Sequence, residues 1–516
     1  MCAFIGWELG GLESEEPYVE PPKSKPKKHI QYGVVPSFVS QPSTSSRDDT
    51  LAVNDPDALQ NERILTFGSE DSLEEFVAQA SRCGICILGR NPRFNTLRIG
   101  FSDWSRVQSI LPEDSESFFN FPMIPPPLED GMMAPGAMGF HGRMKEWMGI
   151  SEDNAHWGEG VSVAVIDTGI LPHPVFDDGV EVFSLVDSKG EIHPHGTAMA
   201  SLWRDTDGRI PAIAPAVDLS SIQVADETGV SNTFMVAEAI YLAAESGTDL
   251  ITISMSSART SPYLDRAIEF AKEQGSLIIA SSGNNGQEIM MYPAAHDDVL
   301  AVGAIDYNNA YPGFSNYGEH VSFVAPGVGV LAAGPDDTYG SSSGTSPAAQ
   351  IGAATIAAVM SELEISDPYA ASELYLENLN ELGLPDKDTL YGYGRPQMDV
   401  LLNYDEPGRY DGAIAGNLIT LDERGQADLH VVVDNPGTEN LTQALLHVTA
   451  QGESYEVSLP TIEPKESYQF TLPLSASLDQ GDIMVSSRVE LADGLDDVRP
   501  QDNSQHSKVG MGEGGE

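Results

Sequence analysis

The sequence predicts an α/β domain built on a parallel sheet flanked by helices, with a small α+β unit before it and an antiparallel β-sandwich after it. Three observations lead there. Between residues 137 and 405, short apolar runs alternate with helix-length stretches, and strand–helix–strand alternation builds a parallel sheet. Residues 63–125 follow a strand–helix–strand–strand–helix order. Past residue 408, short strand-like runs follow one another between turn clusters, with no helical period.

The elements follow in order. Residues 1–60 carry acidic residues, prolines, a lysine cluster (Lys23, Lys25, Lys27, Lys28) and the polar run Ser43–Asp49 without apolar periodicity. That is the composition of a disordered extension. The lysines read as part of a solvated linker, with a docking site as the sharper alternative. Arg63–Gly68 reads as a strand, and Ser72–Ser81 as a helix with Leu73, Phe76, Val77 and Ala80 on one face. Ile85–Leu88 and Thr96–Phe101 read as strands, and Ser102–Leu111 as a second helix. The Pro- and Met-rich stretch Phe121–Met138 then reads as a link to the next domain.

Val161–Ile166, Leu219–Val224, Leu250–Met255, Leu277–Ser281 and Val299–Ala304 have the length and apolar content of buried parallel strands. Thr233–Glu245 and Tyr263–Gln274 read as the helices between them. Active residues on such a sheet sit in loops at the strands' carboxyl ends. After Gly408, the strands Val431–Val433, Ala444–Ala450, Tyr455–Leu459, Tyr468–Leu472 and Ile483–Val489 are separated by turns such as Asn435-Pro-Gly and Gln480-Gly-Asp. They predict a sandwich over residues 408–508, with a frayed end beyond it.

Composition bounds the function. The 516 residues suit about three domains. With 27 basic and 78 acidic residues the net charge is -51, which repels nucleic acid and anionic membranes, so neither is an expected partner. The acids are spread along the chain. This favours a solvated surface suited to saline surroundings over a field that draws in basic substrates. No run approaches the ~18 apolar residues of a membrane helix. The N-terminus has no basic n-region and no apolar h-region, which makes the cytoplasm the default location. Export by a non-standard route and a misplaced start are the other accounts. The three cysteines, Cys2, Cys83 and Cys86, make no disulfide framework. Cys83-Gly-Ile-Cys86 has CxxC spacing but no second pair to complete a zinc site. Small buried residues at a helix-to-strand turn are the plainer reading.

Three local sequences carry chemistry. Val163-Ala-Val-Ile-Asp167-Thr-Gly169 is an apolar strand ending in a carboxylate and a glycine turn. His195-Gly-Thr-Ala-Met-Ala200 opens a small-residue helix. Ser343-Gly-Thr-Ser346-Pro-Ala-Ala349 places a serine at the start of the long helix Pro347–Met360. Each has a plain structural reading: Asp167 as a turn cap, His195 as a surface histidine, Ser346 as an N-cap before a proline at the first helical position. Their joint occurrence, in the order Asp, His, Ser on an α/β scaffold, is the order of the subtilisin triad.

On these residues the chain resembles the subtilisin-like (subtilase) serine proteases across about residues 137–400. Ile279-Ala-Ser-Ser-Gly-Asn284-Asn-Gly286 resembles the family segment that supplies an oxyanion-hole asparagine, here Asn284. Val299-Leu-Ala-Val-Gly-Ala304, Phe314-Ser-Asn-Tyr-Gly318, Val324-Ala-Pro-Gly327 and Tyr391-Gly-Tyr-Gly394 resemble further family segments. The resemblance implies a serine endopeptidase acting on protein or peptide substrates through Asp167, His195, Ser346 and Asn284. It implies that Ser254, Met255 and Ser256, with Ser281, Ser282 and Gly283, line the substrate. It also implies that residues 63–125 are an inhibitory propeptide, the chain's own intramolecular partner, removed by self-cleavage within about Pro125–Ala137, with Asp130-Gly-Met-Met-Ala134 as a candidate. No cofactor is required for catalysis.

The chain departs from the family at several places. Ala198 stands where a second histidine is frequent. Pro347-Ala-Ala-Gln350 replaces the usual run after the serine, so the helix entry is expected to differ. Ser254-Met-Ser-Ser257 replaces a segment that usually ends in glycines, and its hydroxymethyl groups are expected to narrow the substrate pocket. Arg204–Arg209 is short, so the strong calcium loop is expected to be missing. Asp205 and Asp207 read as an acidic turn, with a cation site as the alternative.

Overall fold

The computed structural model describes residues 55–126, 137–150, 153–176, 179–186, 192–204, 208–421, 427–474 and 483–509, all within one compact unit, Thr50–Glu516. Cys2, Asp205, Asp207, Asp130–Ala134 and most of the expected extension lie outside the described residues.

The first sheet is antiparallel, in the order β2-β3-β1-β4. It is built from β1 (Glu62–Phe67), β2 (Cys86–Asn91), β3 (Thr96–Gly100) and β4 (Ser115–Phe118), with α1 (Glu70–Ala80) and α2 (Trp104–Gln108) between strands. The Ser69 hydroxyl starts α1 by accepting from the Ser72 N–H at 3.1 Å, and Glu70 and Asp71 lie near the positive end of its dipole. Leu73, Phe76 and Ala80, at helical spacing, pack on Leu65, Phe67, Leu97 and Ile99. The sequence did not announce β4. Its Ser-Glu-Ser-Phe offers no apolar run, and its pairing with β1 comes from tertiary context. Cys83 and Cys86 do lie at the turn after α1, but Cys83 is only half-buried and Cys86 is exposed. Cys86 opens an edge strand, which corrects the expectation of buried cysteines.

A two-residue strand, β5 (Pro122–Met123), leads toward the second unit, which begins with α3 (Met144–Trp147). Its sheet has seven parallel strands in the order β13-β12-β11-β10-β6-β8-β7. These are β6 (Ser162–Asp167), β7 (Glu181–Ser184), β8 (Asp218–Gln223), β10 (Leu250–Ile253), β11 (Leu277–Ser281), β12 (Val299–Ile305) and β13 (Val321–Pro326). The small strands β9 (Ser231–Asn232), β14 (Val330–Ala333) and β15 (Tyr339–Ser342) lie outside this sheet. The helices are α4 (His195–Ser201), α5 (Thr233–Glu245), α6 (Pro262–Glu273), α7 (Thr345–Glu362), α8 (Pro368–Glu377) and α9 (Met398–Leu401).

Apolar strands buried on both faces require a helix layer on each side. Residues of α4, α7 and α8 pack with Val163, Val165 and Ile279 on one face, and α5 and α6 pack with Ala164, Ile166 and Ile278 on the other. The sheet order reverses around β6, whose neighbours are β8 and β10. The carboxyl end of β6, where Asp167 stands, is therefore a topological switch point, the usual place for a site in an open α/β sheet. Val324, Ala325 and Pro326 of the segment Val324–Gly327 form the end of strand β13, whose ladder β12 supplies.

The last unit pairs a three-stranded sheet, order β16-β17-β20, with a four-stranded one, order β19-β18-β21-β22. The strands are β16 (Ala413–Leu421), β17 (Ala427–Asp434), β18 (Leu445–Ala450), β19 (Glu453–Ser458), β20 (Ser467–Pro473), β21 (Ile483–Glu490) and β22 (Ser504–Val509). Alternating side chains such as Leu429, Val431 and Val433 meet Leu446, Val448, Val485 and Val489 in one core. Two strands, β16 and β22, go beyond those read from the sequence. One carries Gly416 and Asn417 at its middle, and the other is polar up to its last residue, Val509.

Buried charge lies between this unit and the sheet before it. The Glu381 N–H donates to Asp434 Oδ2 at 3.2 Å, and Arg499 reaches Asp399 at 3.6 Å and Asp502 at 2.8 Å. Burial pushes Asp434 up to about 7. Burial, then the Asp434 charge, pushes Glu381 up to about 9. Among the described residues no helix is long and apolar enough to cross a membrane.

Candidate active site

β6 ends at Asp167, which is fully buried. Its Oδ1 accepts from the Thr168 N–H at 2.7 Å, so the turn-cap reading describes only part of what the carboxylate does. His195 opens α4, and its Nδ1 lies 2.8 and 3.0 Å from the two Asp167 oxygens. A carboxylate can only accept, so Nδ1 carries the proton and Nε2 is left as the acceptor. The Thr168 hydroxyl holds the turn before the helix, donating to the His193 carbonyl and accepting from the Gly196 N–H, each at 2.8 Å. Position 196 has no room for a side chain. A Cβ there would stand 2.4 Å from the Gly169 carbonyl oxygen and 3.1 Å from Asp167 Oδ1. Beside this pair, burial and the neighbouring His195 hold His193 below the usual histidine value.

Ser346 lies in the first turn of α7 and is 3% exposed. It does not cap the helix. The cap position is Gly344, at φ 142° and without a side-chain bond, and the Ser346 Oγ has no hydrogen-bond partner among the described residues. Pro347, within the first turn, removes an N–H that has no intrahelical acceptor anyway. The proline is therefore compatible with the start of α7.

Asn284 follows β11 and is oriented by Thr345. Its Oδ1 accepts from the Thr345 N–H at 2.9 Å and the Thr345 hydroxyl at 2.8 Å. The Thr345 hydroxyl oxygen also receives the Gly283 N–H at 3.1 Å. The amide is thereby fixed with Nδ2 facing outward, where it donates to the Pro126 carbonyl at 3.1 Å. Gly344 is required here too, because a Cβ would come within 2.9 Å of that Nδ2.

The chain before Pro126 is laid along the site as a strand. The Thr233 N–H donates to the Phe121 carbonyl at 2.9 Å, β5 pairs with β9, and Ile124 exchanges both backbone bonds with Ser256 at 3.1 and 2.8 Å. Upstream, Asn120 is fully buried. Its Oδ1 takes the Phe234 N–H at 3.2 Å and the Thr233 hydroxyl at 3.0 Å, at the start of α5. The Asn91 amide reaches Glu238 of α5 at 2.9 Å, and Phe94 stacks on Tyr241 at 4.1 Å. The first sheet is thus fastened to α5, and its tail runs into the cleft. The sequence reading took Phe121–Met138 for a link, with a cut expected within about Pro125–Ala137, and did not see the pairing of Met123 and Ile124.

Of the residues expected to line the substrate, Ser256 pairs with this tail. Met255 is fully buried. The Ser254 hydroxyl accepts from Gln350 Nε2 at 3.0 Å and donates to the Ser346 carbonyl at 3.4 Å. Ser281 ends β11, the Ser282 hydroxyl donates to the Asn316 carbonyl at 3.4 Å, and Gly283 turns at φ 105°. Gln350 was read only as a departure. It is fully buried, and its Oε1 also accepts from Trp203 Nε1 at 2.8 Å and the Thr252 hydroxyl at 3.0 Å. The signal in the sequence was a lone amide in Ala348–Met360, a stretch of Ala, Gly and larger apolar residues with Thr355 as its one other polar side chain, since a buried amide needs partners.

Residues 158–394 match the Subtilase family. A stretch of 195 residues is 35% identical to Subtilisin Savinase of Lederbergia lenta, covering 37% of this chain and 72% of that one. The chain belongs to the subtilase family. The same identity over 195 residues relates this subtilase to an alkaline protease of Shouchella clausii, of which it spans 51%. Its fold is also that of an epidermin leader peptide processing serine protease mutant from Staphylococcus aureus, with TM-score 0.58 and 18% identity. That match covers 67% of this chain and 99% of the other. The subtilase is a serine-type endopeptidase, and subtilases need no cofactor for catalysis. Among the described residues no three His, Cys, Asp or Glu side chains group into a metal site.

Proposed function

We propose that this subtilase cleaves peptide bonds through Asp167, His195 and Ser346 by way of an acyl-enzyme, and is made as a zymogen inhibited by its residues 63–125 and opened by its own activity. The observation that carries the proposal is the Pro126 carbonyl held by the Asn284 amide at 3.1 Å, beside a serine hydroxyl with no other partner.

A serine hydroxyl is a weak nucleophile until a base takes its proton. His195 Nε2 is the free acceptor, and Asp167 holds the ring in the tautomer that leaves it free. Ser346 Oγ attacks the substrate carbonyl carbon as its proton passes to Nε2. The Asn284 amide and the Ser346 N–H stabilise the resulting oxyanion. The same proton goes to the leaving amine as the C–N bond breaks, and water then releases the acyl group by the reverse sequence. Loss of a side-chain oxyanion donor lowers kcat by about 100- to 1,000-fold, a magnitude taken from a subtilisin variant rather than from this chain.

The zymogen reading is supported by the way the first sheet is fastened to α5 while its tail pairs with Ser231 and Ser256. Hydrolysis of a peptide library by chain opened with an added protease tests the proposal. Ser346→Ala and His195→Ala are expected to lose nearly all turnover and Asn284→Ala most of it. Equal turnover in wild type and Ser346→Ala would refute it.

A further inference from the structure

One histidine serves the proton transfer, and a second stands two residues before it. The His195 N–H donates to His193 Nδ1 at 3.3 Å. A backbone N–H can only donate, so Nδ1 of His193 is bare and its ring hydrogen is on Nε2. His195 has the opposite tautomer, with its hydrogen on Nδ1 toward Asp167. The two rings on either side of Pro194 are thus held in opposite states.

His193 is built into the turn that carries the base. His195 opens α4, and the first N–H groups of a helix have no intrahelical acceptors. Pro194 has no N–H to offer. The next two donors are taken by side chains, that of His195 by His193 Nδ1 and that of Gly196 by the Thr168 hydroxyl at 2.8 Å. The same hydroxyl donates to the His193 carbonyl at 2.8 Å, so His193, Thr168 and the start of α4 close one ring of bonds. On its other side the imidazole packs against Gly229, where a Cβ would stand 3.2 Å from ring carbons Cγ and Cδ2.

A proton on His193 undoes this arrangement. An imidazolium has a hydrogen on both nitrogens and accepts at neither, so the His195 N–H loses its partner. The new charge also stands beside His195, which must itself become positive as it takes the Ser346 proton. Like charges at short range oppose that step. Among the described residues, the charges that face His193 are those of His195 and Asp167. On the turn that carries Gly229, Asp226 accepts from the Thr228 and Val230 N–H groups and the Thr228 hydroxyl, and Glu227 is exposed. Burial, then the charge of His195, hold His193 below the usual histidine value, which keeps it neutral at neutral pH.

We propose that His193 is a positioning residue for the base: its unprotonated Nδ1 holds the His195 backbone in place for proton transfer, and a proton on it switches the triad off. The proposal rests on the catalytic reading above. It adds a second acid-sensitive group to a reaction that one histidine would otherwise govern.

Chain opened by an unrelated protease is assayed on one peptide as wild type, His193→Ala and His193→Asn, with circular dichroism showing that each is folded. At about pH 8, His193→Ala is expected to lose about threefold to tenfold in kcat, the size of one neutral hydrogen bond, with KM unchanged. His193→Asn restores an acceptor, since an Asn carbonyl oxygen takes the N–H two residues on, and is expected to recover most of that loss. The two proteins with an acceptor then part in acid. With one titrating base, kcat/KM falls about tenfold per pH unit. His193→Asn is expected to keep that slope, whereas wild type steepens toward about a hundredfold per unit as His193 takes its proton. Wild-type kcat in His193→Ala, or the same acid slope in wild type and His193→Asn, would overturn the proposal. Opened Ser346→Ala separates the two readings. Turnover in opened wild type but not in opened Ser346→Ala keeps the catalytic reading whatever the His193 variants do, and equal turnover in those two ends both.

Discussion

Gln350 donates from Nε2 to the Ser254 hydroxyl at 3.0 Å, and Ser254 donates onward to the carbonyl of Ser346 at 3.4 Å. A buried amide on α7 thus ties the nucleophile's turn to β10 and, through Trp203 and Thr252, to the sheet interior. Gln350→Leu keeps the volume but strands the Trp203 N–H and takes from the Ser254 hydroxyl the donor that holds it against the Ser346 carbonyl. A buried polar group without a partner costs about 1–3 kcal/mol. Denaturant unfolding should show a loss of that size. The kinetics of the opened enzyme should show a fall in kcat larger than any change in KM, because the displaced group is the nucleophile's turn.

Thr345→Val removes the hydroxyl that orients the Asn284 amide and receives the Gly283 N–H. The backbone bond from Thr345 to Asn284 remains, so the amide loses one of its two anchors. A neutral hydrogen bond is worth about 0.5–1.5 kcal/mol. The expected cost is about threefold to tenfold in kcat, clearly smaller than for Asn284→Ala. Steady-state rates of both variants on one peptide give the comparison, and equal losses would contradict the orienting role.

Asn120→Ala should loosen the fastening of the first sheet to α5. It leaves the Phe234 N–H unsatisfied and removes the amide that donates to Glu62 at 2.9 Å. The uncut full-length chain is then expected to react with a fluorophosphonate about tenfold faster than wild type, since about 1–2 kcal/mol of docking is lost. An unchanged labelling rate would mean that this contact does not hold the tail in place.

Glu381 and Asp434 titrate against stability. Their folded values of about 9 and about 7 lie above the ~4 of carboxyls in an unfolded chain. The folded state therefore binds more protons than the unfolded state between those limits. Their contribution to stability is complete below pH ~4 and is lost as pH rises through 7 and then 9. Melting temperatures between pH 6 and 9.5 should fall, and Asp434→Asn should flatten that fall. Parallel curves for the two proteins would refute the assignment.

The sheet around the site was legible because its strands are continuous apolar runs and its reactive residues open or close elements: Asp167 at the end of β6, His195 at the start of α4. What escaped depended on partners far away in sequence. The polar strand Ser115–Phe118 exists because β1 pairs with it. Pro122–Ile124 looked like a linker because proline denies it a strand pattern, yet Ser231 and Ser256 supply the ladder. Gln350 looked like a departure because its three partners lie just past α4, on β10 and just past β10. The fold was written in local periodicity, and the way the cleft is filled was written in contacts between segments more than a hundred residues apart.

The central claim is that Ser346 is the nucleophile, activated by His195. Reacting opened enzyme with a fluorophosphonate and locating the adduct by peptide mass tests it most directly. One adduct per chain on the peptide containing Ser346, lost in Ser346→Ala and greatly slowed in His195→Ala, is the expected result. An adduct on another residue, or labelling of Ser346→Ala equal to that of wild type, would contradict it.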